Sequence, residues 1–452
     1  MPRYVRQIPG GLFTYLLLFS SIYLPFFFSY LSAFFSPIYL PVAYPRQQLW
    51  MGTHPSNPSR DLSSGRTLLD LISDDPIALL SAPVAARFAN NVPFLFKVLS
   101  INKALSIQAH PNKTLAAQLH ARDPAHYPDN NHKPEMAIAI TPFEGLCGFR
   151  PLAEIAHFLD TVGPLRAIVG EHTAAEFIRV VTAEAAPTQV TPELKALLRT
   201  TFAALMQAAP DTLAEQVPKL VALAEAEGAA FAGGGVASTS GEILSSLVAR
   251  LHAAYAVDVG LFVLFFLNFV TLAPGEALFL VADDIHAYLS GDIIECMAAS
   301  DNVVRAGLTP KFKDVPTLID MLTYNFAPIE QQKMVAREYA YATLNAVAYS
   351  AGSELALYDP PIDEFSVVRA VVRGGARACA RFDPLQGPSV LICTAGGGRI
   401  CVGEESEDLL EGFVYFVGSG AEVVLEGRAG EDDGGGDGLV VFMAFCEVEK
   451  AE

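Results

Sequence analysis

Four residues of this 452-residue sequence have side chains suited to a metal site: Gln108, His110, Glu135 and His286. Gln108 and His110 are two positions apart, so on a strand both side chains would point to the same face. Glu135 enters the apolar run 136–140, where a buried carboxylate needs a metal ion or a lysine as partner. Two nitrogen and two oxygen donors suit Zn²⁺, and oxygen ligands are typical of a catalytic rather than a structural site.

Each of these residues also has an ordinary structural interpretation. A histidine on a strand, such as His110, is more often a satisfied polar residue than a ligand, and Glu135 beside Pro134 also fits a surface turn. His286 is the last histidine of the chain, so the C-terminal part cannot build a histidine metal site. Any such site therefore belongs to the first β unit.

A second set of polar residues follows His286 and suits a phosphorylated substrate. Glu295 lies in an apolar strand and is a candidate for proton transfer. Arg305 and Lys311 are suited to a phosphate, the first through its planar guanidinium and the second as a point charge. As an isolated pair, these two cations also fit an ordinary solvated surface.

The predicted secondary structure, which must position these residues, changes twice along the chain. Short apolar runs broken by Pro, Gly and Asn predict strands before residue 150, as at 92–99 and 136–140. From 151 to 258 Ala, Leu and Glu predominate, and Thr191 followed by Pro192 predicts the start of a helix. From Val259 to the end of the chain, short apolar runs separated by glycine turns again predict strands.

This order predicts a mainly β fold with two cupin-like jelly-roll barrels and an α-helical insert. The expected units are an atypical hydrophobic segment 1–46, the first part of a catalytic barrel 47–150, the insert 151–258, the second part of that barrel 259–330, and a C-terminal cupin-like β domain 331–452.

Charge and cysteine content limit the partners of the chain. The formal net charge of −19 argues against binding to nucleic acid or to anionic membranes, because proteins bind both through clustered Lys and Arg. The same charge requires that the cations of any phosphate site be gathered locally. Six scattered cysteines without a CxxC pair indicate a reducing compartment, so we expect a cytoplasmic location. We expect a monomer, although no sequence pattern indicates the oligomeric state.

Residues 7–45 differ from the rest of the chain, because they contain no charged side chain and follow Arg3 and Arg6. Such a run is typical of a membrane span or a signal peptide, although prolines interrupt it. Three interpretations stay open: an error of gene prediction, a membrane anchor and a signal peptide. Membrane association is expected only if the segment is an anchor.

Several strings of the sequence resemble the motif series of the type I mannose-6-phosphate isomerase family, in that family's order. They are the strings 50–55 (WMGTHP), 106–113, 129–135, 274–291, 295–311 and, in the last unit, 360–367. A helical insert stands at the family's position, and the resemblance covers about residues 49–449.

The resemblance implies a cupin enzyme with one Zn²⁺ per chain that interconverts mannose 6-phosphate and fructose 6-phosphate and so supplies mannose for GDP-mannose. By matched motif position, it implies the zinc ligands Gln108, His110, Glu135 and His286. It also implies Arg305 as the active-site arginine, with further polar site residues at Lys133, Glu295 and Lys311 and a phosphate contact at Ser106. The reaction moves a proton between neighbouring carbons through an enediol, and Glu295 and Lys133 are both candidates for the base.

The N-terminus departs from the family. Its members usually begin with β-forming sequence that includes a Gln-x-Tyr-x-Trp-Gly-like motif, which is absent before residue 47, so we expect a sheet edge without its partner. A competing function is therefore a non-catalytic metal- or sugar-phosphate-binding cupin, inactive because those strands are missing. A cupin oxygenase would bind a redox metal through two histidines and one carboxylate. The string 305–311, which includes Arg305 and Lys311, has no evident role in such an enzyme.

Overall fold

The computed structural model describes residues 47–183, 189–428 and 438–448. The hydrophobic segment 1–46 lies outside these residues. Within them, no helix combines the length and the apolar character needed to cross a membrane. All six cysteines are free thiols, as the absence of a CxxC pair predicts.

The chain first forms the strands and short helices of the first part of the barrel. They are β1 (Gln47–Met51), α1 (Leu68–Asp74), α2 (Pro76–Leu80), α3 (Ala82–Arg87), β2 (Phe94–Ile101), β3 (Ile107–Ala109), α4 (Lys113–Arg122), β4 (Glu135–Ala139) and β5 (Phe143–Phe149). The strands predicted at 92–99 and 136–140 are present as β2 and β4, displaced by one or two residues. Helix α4 begins where Asn112 accepts a hydrogen bond from the main-chain N–H of Leu115 at 3.0 Å, so the chain turns away directly after His110.

A helical insert then interrupts the barrel. It consists of α5 (Leu152–Thr161), α6 (Gly163–Val169), α7 (Glu171–Ala183), α8 (Pro192–Met206), α9 (Pro210–Glu227), the hairpin β6 (Gly235–Val236) and β7 (Thr239–Ser240), and α10 (Gly241–Tyr255). Helix α8 begins as predicted, because Thr191 accepts a hydrogen bond from the main-chain N–H of Leu194 and Pro192 follows it. Phe202 on its buried face packs edge-on against Phe149 at 5.1 Å between ring centres, so the insert rests on β5.

After the insert, the chain returns to the barrel. The elements are α11 (Gly260–Val263), β8 (Leu267–Leu272), β9 (Ala277–Leu280), β10 (His286–Ala298), β11 (Val304–Gly307), α12 (Val315–Met321) and β12 (Lys333–Met334). The strand predicted to resume at Val259 starts later, since residues 260–263 form a helical turn. That run is apolar throughout, and without periodicity an apolar run does not distinguish a buried helix from a buried strand.

The barrel strands are antiparallel and form two sheets. The first has the order β1-β2-β10-β4-β9-β12, and the second has the order β11-β3-β10-β5-β8. Among the described residues β1 pairs with β2 alone, so it forms the edge of the first sheet.

Strand β10 is 13 residues long and belongs to both sheets. Its first half pairs with β3 and β5, and its second half pairs with β2 and β4. Gly291 lies between the halves with φ of +106°, a conformation that glycine adopts without strain, and a Cβ there would lie 2.6 Å from the main-chain oxygen of Pro142. The bend lets one strand carry His286 in one sheet and Glu295 in the other.

The C-terminal part forms a second sandwich. Its elements are β13 (Arg337–Glu338), β14 (Ala342–Leu344), α13 (Ala346–Ser350), β15 (Glu354–Tyr358), β16 (Ser366–Val372), β17 (Cys379–Phe382), β18 (Ser389–Ala395), β19 (Gly397–Val402), β20 (Glu405–Leu410), β21 (Val414–Val417), β22 (Val423–Gly427) and β23 (Leu439–Phe445). The sheet orders are β13-β15-β16-β23-β18-β21 and β14-β17-β22-β19-β20. Short 3₁₀ segments lie at Gly228–Gly234, Ile329–Gln331 and Gly375–Arg377. Two sandwiches with a helical insert confirm the predicted fold class.

The two sandwiches share a hydrophobic core. Phe96, Ile138 and Ile294 from the first sheet of the barrel belong to the same buried cluster as Phe365 and Phe442 of the C-terminal sandwich. These side chains are withdrawn from water between the two units, which favours their association. The C-terminal sandwich therefore packs directly against the barrel that carries the site.

Candidate active site

The catalytic barrel contains a cavity of about 170 Å³ where the predicted site residues meet. Eight of them line it: Ser106, Gln108, Lys133, Glu135, His286, Glu295, Arg305 and Lys311. The ninth, His110, is buried and contacts the lining residues Gln108 and Glu135. The structure therefore brings together residues from four separate stretches of the sequence.

Strand pairing explains how these stretches converge. On β3, Gln108 lies opposite His286 of β10 on one side and opposite Arg305 of β11 on the other. Directly opposite residues of antiparallel strands have Cβ atoms about 4.5–5.5 Å apart, close enough for their side chains to share one site. Glu135 opens β4, which pairs with the second half of β10.

His110, Glu135 and His286 form a cluster that fits a metal ion. Nε2 of His110 lies 3.3 Å from Oε1 of Glu135, and Nε2 of His286 lies 3.3 Å from Oε2 of the same carboxylate. Two ligand atoms about 2.0–2.1 Å from a tetrahedral Zn²⁺ would be about 3.3–3.4 Å apart. Oε2 of Glu135 and Nε2 of His286 are buried without a hydrogen-bond partner in the described part of the chain, which costs free energy unless a cation binds them.

His110 and Glu135 are held in the protonation states that bind metals. Nδ1 of His110 donates to the main-chain oxygen of Asn302 at 2.7 Å, which leaves Nε2 free as a ligand. Burial lowers the pKa of His110 to about 4, so the imidazole is neutral at pH 7. Burial alone would raise the pKa of Glu135, but the charges of Lys133 and His110 outweigh it and hold that pKa well below 4.5. A neutral imidazole and an ionised carboxylate are the forms that bind metals.

Gln108 adds an oxygen donor at the edge of the cluster. Its Nε2 lies 3.3 Å from Nε2 of His110, and its Oε1 accepts a hydrogen bond from Oγ of Ser106 at 3.0 Å. The two ends of an amide have nearly the same shape, so a half-turn would present Oε1 to the cluster. Ser106, Gln108 and His110 lie along one face of the segment, in agreement with their spacing.

Glu295 is paired with a lysine that the sequence patterns did not single out. Nζ of Lys97 donates to Oε2 of Glu295 at 2.8 Å, and both side chains are buried. The same Nζ lies 4.9 Å from the centre of the Trp50 ring. Lys97 is the one charged residue in the apolar run 92–99, and that was the available signal, because a lysine in a buried strand needs an anionic partner.

Two further groups in the cavity remain protonated at neutral pH. Nζ of Lys133 lies 3.1 Å from Oε1 of Glu135. Burial alone would lower the pKa of Lys133, but the charges of Glu135 and Glu295 outweigh it and raise the pKa. Burial, followed by the charge of Glu295, raises the pKa of Tyr288 well above 10, so its hydroxyl stays neutral. The sequence patterns did not indicate a role for Tyr288.

Positive charge is concentrated in the cavity, although the chain as a whole is acidic. The lining contains two carboxylates, Glu135 and Glu295, and four cations: Lys97, Lys133, Arg305 and Lys311. Lys97 and Lys133 are paired with the carboxylates. The side chains of Arg305 and Lys311 make no ion pair or hydrogen bond within residues 47–183, 189–428 and 438–448. In a chain with a net charge of −19, this local excess is what a phosphate site requires.

Three protein-family models match the sequence, one after the other along the chain. "Phosphomannose isomerase type I, catalytic domain" matches residues 34–152. "Phosphomannose isomerase type I, helical insertion domain" matches 168–267, and "Phosphomannose isomerase type I C-terminal" matches 356–405. Together these matches cover more than half of the chain.

Individual proteins resemble the chain over most of its length. The mannose-6-phosphate isomerase of Aspergillus fumigatus is 55% identical over 418 residues, which are 90% of this chain and 89% of that protein. That of Emericella nidulans is 55% identical over 416 residues, with the same coverage of 90% and 89%. Among solved structures, a zinc-bound mannose 6-phosphate isomerase superposes with a TM-score of 0.71 at 28% identity, covering 89% of this chain and 91% of the other.

Proposed function

The chain belongs to the type I phosphomannose isomerase family, and on this premise we propose that its cavity interconverts D-mannose 6-phosphate and D-fructose 6-phosphate with one Zn²⁺ per chain. One observation carries the proposal: a single cavity joins the His–Glu–His cluster to two cations without carboxylate partners among the described residues. The cluster suits a metal ion, and the two cations suit the phosphate of the sugar.

Arg305 and Lys311 bind the phosphate in this proposal, and the hydroxyl of Ser106 contributes a hydrogen bond. A guanidinium matches two phosphate oxygens at once, and an ammonium adds a point charge. Arg305 lies opposite Gln108 on the neighbouring strand, so one sheet fixes the distance between this phosphate ligand and one of the proposed metal ligands. A substrate held in this way reacts without first losing much orientational freedom.

His110, Glu135 and His286 would hold the zinc ion, with Gln108 as the fourth ligand. When bound, Zn²⁺ supplies a Lewis acid that stabilises negative charge on the sugar oxygens. The ammonium of Lys133, 3.1 Å from Glu135, adds positive charge to the same region. These groups would together stabilise the negatively charged enediolate that forms when the base removes the C2 proton.

Isomerisation requires a proton to move between C2 and C1 of the open-chain sugar through an enediol, and Glu295 and Lys133 are the candidates for the base. The raised pKa of Lys133 favours Glu295, because an ammonium group must lose its proton before it can act as a base. Oε2 of Glu295 is held by Lys97, and Nζ of Lys133 is held by Glu135. The variants Glu295→Gln and Lys133→Met show which of the two residues is the base. The variant that no longer exchanges the C2 proton of mannose 6-phosphate with deuterated solvent lacks the base.

The proposal is tested by isomerisation of mannose 6-phosphate by the purified chain, with and without a strong chelator. We expect turnover that the chelator abolishes and added Zn²⁺ restores, and loss of most activity in Arg305→Ala. Arg337→Ala is the matched control, because it removes an exposed arginine of the C-terminal sandwich. Near-normal turnover in Arg305→Ala would overturn the phosphate site, whereas zinc binding without turnover would favour the non-catalytic binding protein.

The cellular setting follows from the same proposal. The isomerase would act as a cytoplasmic monomer and supply mannose 6-phosphate for GDP-mannose, and light scattering of the purified chain measures its oligomeric state. The division into units at residues 46, 150, 258 and 330 stays a prediction, which limited proteolysis would test.

A further inference from the structure

A mostly buried hydrogen bond between a histidine and a glutamate connects the active site to the C-terminal sandwich. Nε2 of His132 lies 2.6 Å from Oε1 of Glu364, with the two side chains 20% and 10% exposed. His132 lies in the loop before β4, and Glu364 lies between β15 and β16. We infer that Glu364 is a positioning residue for the active site, acting through His132 on Lys133 and Glu135. The inference rests on the function proposed above.

The loop before β4 is held at its start by the barrel itself. The carboxylate of Asp129 accepts hydrogen bonds from Oγ of Ser300 at 2.8 Å and from the main-chain N–H of Asp301 at 2.7 Å. The main-chain oxygen of Asn131 accepts a hydrogen bond from Nδ2 of Asn302 at 2.9 Å. Up to Asn131, the position of the loop therefore does not depend on the C-terminal sandwich.

The loop is held at its end by the barrel as well. The main-chain oxygen of Pro134 accepts a hydrogen bond from the main-chain N–H of Ala298 at 3.1 Å, and β4 pairs with β10 from Glu135 onward. His132 and Lys133 lie between these two held parts. In the described part of the chain, Glu364 is the hydrogen-bonding partner of the His132 side chain.

His132 immediately precedes residues that carry the chemistry of the site. The next residue is Lys133, whose Nζ must reach Glu135 at 3.1 Å, and Glu135 supplies a carboxylate oxygen to the metal cluster. Without Glu364, His132 has no fixed side-chain position, and the backbone at Lys133 gains freedom. Supporting contacts of this kind orient the groups that touch the substrate or the metal, and losing them typically costs about 10–100-fold in activity or metal affinity.

The same C-terminal loop offers a matched control. Asp363, next to Glu364, forms an ion pair with Arg87 of α3, so it also links the two units. This second pair is exposed (49% and 62%) and does not line the active-site cavity. Asp363→Asn therefore removes a contact between the units without touching the path through His132.

The experiment compares Glu364→Ala, Glu364→Gln and Asp363→Asn in the zinc-loaded full-length chain. We expect kcat to fall about tenfold or more in Glu364→Ala, with KM for mannose 6-phosphate changed less than about twofold, because the phosphate is bound elsewhere. Glu364→Gln keeps an oxygen that accepts a hydrogen bond from His132, and its kcat should lie within about threefold of the parent. Asp363→Asn should match the parent.

Thermal unfolding of the same variants separates positioning from a merely structural role. A Glu364→Ala protein that melts earlier but keeps the kcat of Asp363→Asn overturns the inference. So does a Glu364→Gln protein as impaired as Glu364→Ala. An inactive parent chain refutes the proposed function instead, and zinc affinity, measured by competition with a chromophoric chelator, then decides the inference. Weaker zinc binding in Glu364→Ala than in Asp363→Asn supports it, and equal affinity overturns it.

Discussion

The buried pair of Lys97 and Glu295 provides a quantitative test of how the site is built into the barrel. Replacing Lys97 by Met keeps an unbranched side chain of similar length and removes the charge. Glu295, which is 5% exposed, then loses the donor that lies 2.8 Å from its Oε2. Breaking a buried pair costs about 3–5 kcal/mol, because the remaining charge stays buried without its partner. Since Lys133 also interacts with Glu295, we expect a loss of about 3 kcal/mol, at the lower end of that range.

The assay uses a tryptophan that lies beside the pair. Trp50 is the single tryptophan of the chain, and its ring centre lies 4.9 Å from Nζ of Lys97. Its fluorescence therefore reports on unfolding of the catalytic barrel. With an m-value of about 2–3 kcal/mol per molar urea, a loss of about 3 kcal/mol lowers the urea midpoint by about 1–1.5 M.

Two further variants make the result decisive. In Lys97→Met/Glu295→Met both charges are replaced by apolar side chains, which is often neutral for a buried pair, so most of the stability should return while isomerisation is lost. Lys103→Met is the matched control, because Lys103 also lies over an aromatic ring, Tyr255 at 4.4 Å, but is exposed. It should cost less than about 1 kcal/mol. An unchanged midpoint in Lys97→Met, or a double variant no more stable than the single one, would refute this reasoning.

Three other outcomes are expected. Lys311→Met should raise KM for mannose 6-phosphate about tenfold and leave zinc affinity unchanged, because it removes one charged contact with the phosphate; steady-state kinetics and a zinc titration measure both. Zn²⁺ at about 100 times its Kd should add about 2.7 kcal/mol to the free energy of unfolding, and almost nothing in His110→Ala, as urea unfolding with and without zinc will show. Burial alone would raise the pKa of Glu364, but its hydrogen bond and charge interaction with His132 outweigh burial and lower the pKa below 4.5. Its stabilising effect is thus present above pH 4.5 and lost as the pH falls through the lowered pKa. As the pH falls from about 5 to 3, the free energy of unfolding should therefore decrease less in Glu364→Gln than in the parent. Parallel curves of unfolding free energy against pH would contradict this.

The donors of the candidate metal cluster could be picked out because their chemistry is visible in short strings. Gln108 and His110 alternate along one short segment, and Glu135 opens an apolar run, so each string alone restricts where its side chains point. The partner of Lys97 could not be found in the same way. Glu295 is 198 residues away, and only the register of β2 against β10 places the two side by side.

The fold class was predictable, but strand partners were not. The composition changes near residues 150 and 258 mark the insert, because helices and half-buried strands differ in apolar spacing. The glycine turn 418–420 separates two strands, yet β21 pairs in one sheet and β22 in the other. In a jelly roll the chain crosses between sheets, so a short turn does not identify neighbours. The division of β10 between two sheets likewise depends on contacts far apart in sequence.

The double membership of β10 also determines when the barrel can close during synthesis. Strands β2 to β5 are complete by residue 149, but the strand that joins them ends only at residue 298. At about 5–20 residues per second, the ribosome needs roughly 7–30 s for the intervening residues. The helices of the insert have local contacts and fold within this interval, while β2 and β4 present apolar, unpaired edges. The nascent chain is therefore most open to mispairing of its strands between the emergence of β5 and that of β10.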